Sequence, residues 1–138
     1  MTSITDRIYI GDNVAVRNES SLNDKGITHI INCALECKNY LIDKFEYVNL
    51  NMKDNDSQVS TLLNILDDSY NKILQILEIP NSKIIIHCWS GKSRSGSVLM
   101  YYLMKSNNWD YDTTFKFIHT KYPHIKPNIA FQPILRLI

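Results

Sequence analysis

Apolar residues recur along this chain with two different periods. From Leu62 to Leu77 they stand at Leu62, Leu63, Ile65, Leu66, Ile73, Leu74, Ile76 and Leu77, the three-to-four spacing of one helix face. That spacing predicts a long amphipathic helix ended by Pro80-Asn81. Short β-branched runs mark strands instead. Ile8-Tyr9-Ile10 before Gly11-Asp12 predicts a short strand and turn, Ile27 to Cys33 a buried strand, and Tyr47 to Met52 another. Lys83-Ile-Ile-Ile86 shows no alternation, which suits a central strand covered on both faces. Ser20 to Lys25, closed by Gly26, reads as a short helix with a glycine stop. Beyond a polar turn from His87 to Ser95, helices are predicted over Gly96 to Lys105, over Tyr111 to Thr120 with Asp110 as cap, and over Asn128 to Leu137. Strands alternating with helices imply an α/β fold with a mostly parallel sheet. No repeat, low-complexity tract or Pro/Gly-rich linker interrupts the 138 residues, so residues 1–138 are expected to form a single domain.

Charge narrows the function. Fifteen Lys and Arg against fourteen Asp and Glu leave a net charge of +1, too small a surplus for the phosphate neutralisation that nucleic-acid binding draws on. No nucleic-acid partner is expected, and any anion site must be local. The longest apolar run, Val98 to Met104, is seven residues and far short of a membrane span. The N-terminus lacks the basic segment and apolar core of a secretory signal, so a cytoplasmic location is expected. A reducing compartment would keep Cys33, Cys37 and Cys88 as thiols. Cys33 and Cys37 have no second pair to complete a zinc site, so no metal is expected and core thiols are the reading, with a disulfide to Cys88 on oxidation as the alternative. His29, His119 and His124 lack partners at ligand spacing and read as structural or surface residues. Trp109 reads as core. Nothing in the sequence specifies an oligomeric state.

One segment carries chemistry. The isoleucine strand delivers His87-Cys88-Trp89-Ser90-Gly91-Lys92-Ser93-Arg94-Ser95 into a helix N-terminus. The amides of a tight loop from Trp89 to Ser93 can turn inward, and the helix dipole adds about half a positive charge at the same point. Such a loop holds a tetrahedral oxyanion. Arg94 completes the trap with a bidentate guanidinium, and Gly91 supplies the backbone freedom for the turn. At the base of the trap, the field that attracts phosphate also favours thiolate over thiol at Cys88. In-line attack by that thiolate on a bound phosphate monoester would give a phosphocysteine, with Ser95 donating a hydrogen bond to the thiolate as it departs. Trp89 reads as a pocket rim.

The run His87-Cys88-x5-Arg94-Ser95 resembles the signature of the protein tyrosine phosphatase superfamily, and the chain is most similar to its small dual-specificity members. The resemblance extends through Ile8-Tyr9-Ile10-Gly11, Gly26-Ile-Thr-His-Ile-Ile-Asn32, Tyr102-Leu-Met-Lys105 and Pro127-Asn128-x-x-Phe131. It implies a cysteine-dependent phosphatase fold, a sheet of about five strands flanked by helices, and no metal or organic cofactor. It also implies a general acid. The family aspartate stands seven residues beyond an aromatic, and Tyr47-Val-Asn-Leu-Asn-Met-Lys-Asp54 fits that count, with Asp56 as the reserve candidate. Catalysis then requires an ionised Cys88 and a protonated Asp54, and predicts a bell-shaped profile centred on mildly acidic pH. His87 is expected to orient the loop, and Asn128 resembles the asparagine that braces it. Two departures bear on packing alone: Phe131-Gln132-Pro133-Ile134-Leu135 carries a proline and an isoleucine where a glutamine is usual, and Tyr101 stands where a small residue is common.

The implied activity is hydrolysis of phosphotyrosine and phosphoserine or phosphothreonine in proteins, because short loops give a shallow pocket that short side chains can enter. Two other readings share the trap. One is a phosphoinositide or RNA 5'-phosphate phosphatase, suggested by Lys92. The other is a phospho-binding pseudophosphatase without turnover.

Overall fold

A computed structural model describes all 138 residues. Five strands form one sheet: β1 (Thr2–Thr5), β2 (Ile8–Gly11), β3 (His29–Ala34), β4 (Glu46–Met52) and β5 (Ile84–His87), in the order β1-β2-β5-β3-β4. β2, β5, β3 and β4 run parallel, and β1 is an antiparallel edge strand. The helices are α1 (Glu19–Asp24), α2 (Val59–Leu77), α3 (Arg94–Asn107), α4 (Tyr111–Lys121) and α5 (Gln132–Arg136), with short 3-10 turns at Ala15–Arg17 and Asp56–Gln58. The α/β architecture, the mostly parallel five-stranded sheet and the flanking helices agree with the sequence expectation. No helix is long and apolar enough to cross a membrane.

The isoleucine triplet of β5 explains why the sheet is central. Side chains alternate along a strand, so Ile84 and Ile86 face one side and Ile85 the other. Ile84 and Ile86 join the larger core, with Leu62, Leu66 and Ile73 of α2 and Val98 and Leu99 of α3. Ile85 joins a smaller core of Val16, Leu22, Ile27, Ile30 and Phe45 beneath α1. β3 obeys the same alternation: Ile31 and Cys33 enter the larger cluster and Ile30 the smaller. Covering both faces of β5 fixes the strand whose end carries Cys88.

The differences from expectation have local causes. β1 escapes the hydrophobic pattern because it lies at an edge and only Ile4 of its four residues is buried. α3 begins at Arg94 rather than Gly96, because the Ser93 carbonyl already accepts from Ser97 N–H at 2.7 Å. The last helix spans only Gln132–Arg136, since Asn128 Oδ1 accepts from Ala130 N–H at 2.9 Å and holds its segment as a turn. Pro133, with no N–H to donate, sits in the first turn of α5 where that costs nothing. Tyr101 finds its room by reaching α2, where its hydroxyl donates to Asp67 and its ring meets Tyr70 edge-on. Trp109 is half-buried against the edge of Phe117 rather than enclosed in the core.

Ile85→Ala should leave a cavity that two rigid layers cannot collapse into, costing about 2–5 kcal/mol. Urea unfolding of the variant against the native protein measures it.

Candidate active site

β5 ends at His87, and the chain turns through Cys88 to Ser93 before α3 starts. The loop separates its two kinds of backbone group. Its carbonyls face protein donors: Trp89 O accepts from Asn13 N–H at 3.1 Å, Lys92 O from Lys126 N–H at 2.9 Å, and Ser93 O from Ser97 N–H at 2.7 Å. From Trp89 to Gly96, by contrast, no N–H donates to any protein acceptor. A row of unclaimed amides at the N-terminus of a helix is an anion cradle. The turn needs Gly91, whose φ is +74°. A Cβ there would lie 2.5 Å from Tyr122 Oη and 2.8 Å from Gly11 O, so no other residue fits without moving the backbone.

Cys88 is 1% exposed, at the base of this loop, and its Sγ is 3.2 Å from Ser95 Oγ. Arg94 is equally enclosed, and its five N–H donors can be accounted for. Nη1 donates to Glu36 Oε1 at 2.6 Å and to Met52 O at 2.9 Å; Nη2 donates to Glu36 Oε2 at 2.6 Å. Nε, buried, has no protein partner. The carboxylate thus takes the end of the guanidinium and leaves the side edge, Nε–H with the second Nη2–H, as a paired donor of the shape that two phosphate oxygens match. Burial disfavours the Arg94 charge, but the ion pair with Glu36 more than offsets it and holds the pKa above its usual value. In turn the hydrogen bond from Arg94 holds the Glu36 carboxyl below its ordinary range.

Asp54 approaches from the connection between β4 and α2. Asn128 ties the two sides together: its N–H donates to Ser93 Oγ at 2.7 Å, and its Nδ2 to Asp54 O at 3.2 Å, with Asp54 Oδ1 at 3.4 Å. Asp54 lies near enough to act on the Arg94 charge. Asp56, the reserve candidate, is exposed in the following 3-10 turn, which Asn55 caps. Trp89 and Lys92 are exposed at the rim, Ser90 half-buried, and Ser93 and Ser95 enclosed.

His87 is fully buried, with Nδ1 3.3 Å from the Cys88 carbonyl and Nε2 without a partner. A carbonyl only accepts, so Nδ1 carries the hydrogen, and protonating Nε2 would bury both a charge and an unpaired donor. Burial accordingly pushes the imidazole pKa down to about 4, against weaker opposing effects of the Cys88 carbonyl and Asp12. Burial also drives the Cys33 thiol well up and Cys37 to about 11, and raises Tyr122 to about 12. All three cysteines are free, and no cluster of three or more His, Cys, Asp or Glu side chains forms a metal site.

The structure brings Cys88, the loop, Arg94, Ser95, Asp54 and Asn128 together, and adds Glu36, Asn13 and Tyr122, which the sequence pattern does not single out. Glu36 had a usable signal. It follows the end of β3, the neighbour of β5 in a parallel sheet, and the carboxyl ends of such strands are where ligand-binding groups gather.

Comparison with known proteins assigns the chain to a family. The dual specificity phosphatase catalytic-domain family matches residues 8–138. Protein phosphatase Slingshot of Drosophila melanogaster is 32% identical over 130 residues, 94% of this chain and 12% of its own length. Protein-tyrosine-phosphatase MKP1 of Arabidopsis thaliana is 31% identical over 131 residues, 94% of this chain and 16% of its own. The chain therefore spans only a small part of these relatives. Human DUSP28 shares the fold with a TM-score of 0.90 at 18% identity, covering 99% of this chain and 94% of that one. The chain belongs to the dual specificity phosphatase catalytic-domain family.

His87 generates a prediction about stability. An imidazole held at about 4 when folded, against 6.5 when free, stays neutral in the fold while the unfolded chain takes up a proton. Stability is complete above pH 6.5 and falls as the pH drops toward 4, by up to about 3 kcal/mol from this group. Melting temperatures measured between pH 7 and 4 should decline more steeply for the native protein than for His87→Asn.

Proposed function

We propose that residues 1–138 act as one catalytic domain hydrolysing phosphotyrosine and phosphoserine or phosphothreonine in proteins through a phosphocysteine intermediate. The observation that carries the reading is that one segment holds Cys88 Sγ 3.2 Å from Ser95 Oγ, the unclaimed amides from Trp89 to Gly96, and an Arg94 whose Nε has no protein partner. Substrate phosphate oxygens take the amides and the guanidinium edge. The Cys88 thiolate attacks phosphorus as the bond to the leaving oxygen breaks, and Asp54 gives that oxygen its proton. In the second half, water attacks phosphorus, the Asp54 carboxylate takes a proton from it, and the S–P bond breaks. Ser95 Oγ–H then donates to the thiolate that leaves. Donors fixed before charge develops need no reorganisation during the reaction. His87, neutral at working pH, orients the loop and takes no proton. The shallow approach between short loops suits phosphoserine and phosphothreonine as well as phosphotyrosine.

Steady-state hydrolysis of phenyl phosphate without metal, from pH 5 to 8, tests the mechanism. Cys88→Ser should abolish turnover. Asp54→Ala should lose about 10²–10⁴-fold and the decline on the alkaline side, which arises when the acid deprotonates. A folded native protein that binds phosphopeptide and turns nothing over would instead be a phospho-binding module. Hydrolysis of phosphotyrosine peptides but never phosphothreonine peptides would remove the dual specificity.

Glu36 enters this reading as a positioning residue. Its removal has two opposed effects: a freer guanidinium, which weakens phosphate binding, and a more positive trap, which strengthens it. The Glu36 side chain is 51% exposed, so solvent screens its charge and orientation decides. Glu36→Ala should lower kcat/KM for an aryl phosphate about ten-fold and weaken competitive inhibition by inorganic phosphate by a similar factor, with Glu36→Gln intermediate. Tighter phosphate inhibition in Glu36→Ala would show that charge, not orientation, governs.

A further inference from the structure

The parallel strands deliver more than a phosphate trap to one edge of the sheet. β2 ends at Gly11 and leads to Val14, β3 ends at Ala34 and leads to Leu35, and β5 ends at His87 and leads to Trp89. These side chains are 70%, 52% and 56% exposed, and Ile129, beside Asn128, is 82% exposed. Their backbones are tied to the trap itself. Asn13 N–H, next to Val14, donates to Trp89 O at 3.1 Å. Leu35 N–H and Arg94 Nη1 share the Met52 carbonyl at 3.0 and 2.9 Å. Asn128, next to Ile129, holds both Ser93 and Asp54.

We infer that Val14, Leu35, Trp89 and Ile129 form an apolar collar around the phosphate trap that selects protein substrates whose phosphorylated residue is flanked by aliphatic or aromatic side chains. This rests on the protein-phosphatase reading above. The occupant follows from continuity with the trap. A phosphorylated side chain seated over Cys88 belongs to a chain that rises about 3.3 Å per residue when extended, so its immediate neighbours cross the collar. Single exposed apolar residues are ordinary, but here they stand where three adjacent strand ends and the Asn128 segment meet one site. Charge offers no competing preference. The segments that carry the trap and its neighbours hold Lys53, Lys92 and Lys126 together with Asp12, Glu36, Asp54 and Asp56, all on loops or turns, a mixture of signs that favours neither acidic nor basic flanks. The same mixture argues against a phospholipid surface, because anionic membranes are drawn by basic clusters and the carboxylates would face the headgroups.

The test compares kcat/KM on matched phosphopeptides whose flanking positions carry Leu and Val, Ser, or Asp, with phenyl phosphate as reference. The native protein should prefer the apolar-flanked peptide over the serine-flanked one by about ten-fold. The Val14→Ser/Ile129→Ser variant should keep its melting temperature and its phenyl phosphate turnover while that preference falls to about two-fold. Equal rates on the three peptides, or a preference undiminished in the variant, would overturn the collar and leave the protein-phosphatase reading standing. Hydrolysis of phenyl phosphate but of no peptide would take both. Phosphatidylcholine vesicles containing phosphoinositide form the last arm. Faster turnover there than on any peptide, lost in the variant, would overturn the peptide assignment in favour of a lipid surface.

Discussion

A loop whose amides from Trp89 to Gly96 have no protein acceptor does not hold its shape by its own hydrogen bonds. Everything around it supplies the constraint. Its carbonyls are pinned from outside by Asn13 and Lys126 and from below by the first turn of α3, while the Ser93 hydroxyl is held by Asn128. Gly91 packs where a Cβ would collide with Tyr122 and Gly11. Because the carbonyls of Trp89, Lys92 and Ser93 are taken by protein donors while the N–H groups are not, the loop offers donors to an anion without a charged side chain for each. The two-sided burial of β5 serves the same end, since a strand loose on either face would let the cradle tilt.

Arg94 illustrates how the fold shapes a charge. A buried guanidinium with five donors would be costly if unpaired. Glu36 and Met52 O take three, leaving two adjacent donors on one edge. The ion pair lowers the cost of burial without neutralising the edge that remains. A lysine in this place could share a carboxylate but could not present a planar pair of donors beside it.

The isoleucine triplet followed by Cys88 and Arg94 was legible because the whole cradle is one contiguous segment: strand, turn and helix start are adjacent in sequence, so local pattern determines the site. What the pattern could not show depends on partners far away in the chain. Glu36 meets Arg94 across 58 residues, and only its place after the end of β3, which is known once the strands are ordered, marks it. β1 was hidden because an edge strand needs only one buried side chain, which leaves no alternation to detect. The last helix is shorter than its apolar pattern implies because the side chain of Asn128 competes for the backbone that a helix would use. Asp54 could be chosen over Asp56 by family spacing, and the physical difference between them is Asn128, which reaches the first and not the second.

Cys33 and Cys37 show that nearness to a cation does not by itself favour a thiolate. Arg94 acts to lower the pKa of both Cys33 and Cys37, yet burial drives Cys33 well up and, with the Glu36 charge second, carries Cys37 to about 11. The carboxylate that orients the arginine therefore also helps keep a neighbouring thiol protonated. Cys88 lies in the same apolar cluster as these two, and its Sγ is 3.2 Å from the Ser95 hydroxyl. One buried thiol of the three thus has a hydroxyl within reach, under an arginine charge that all three share.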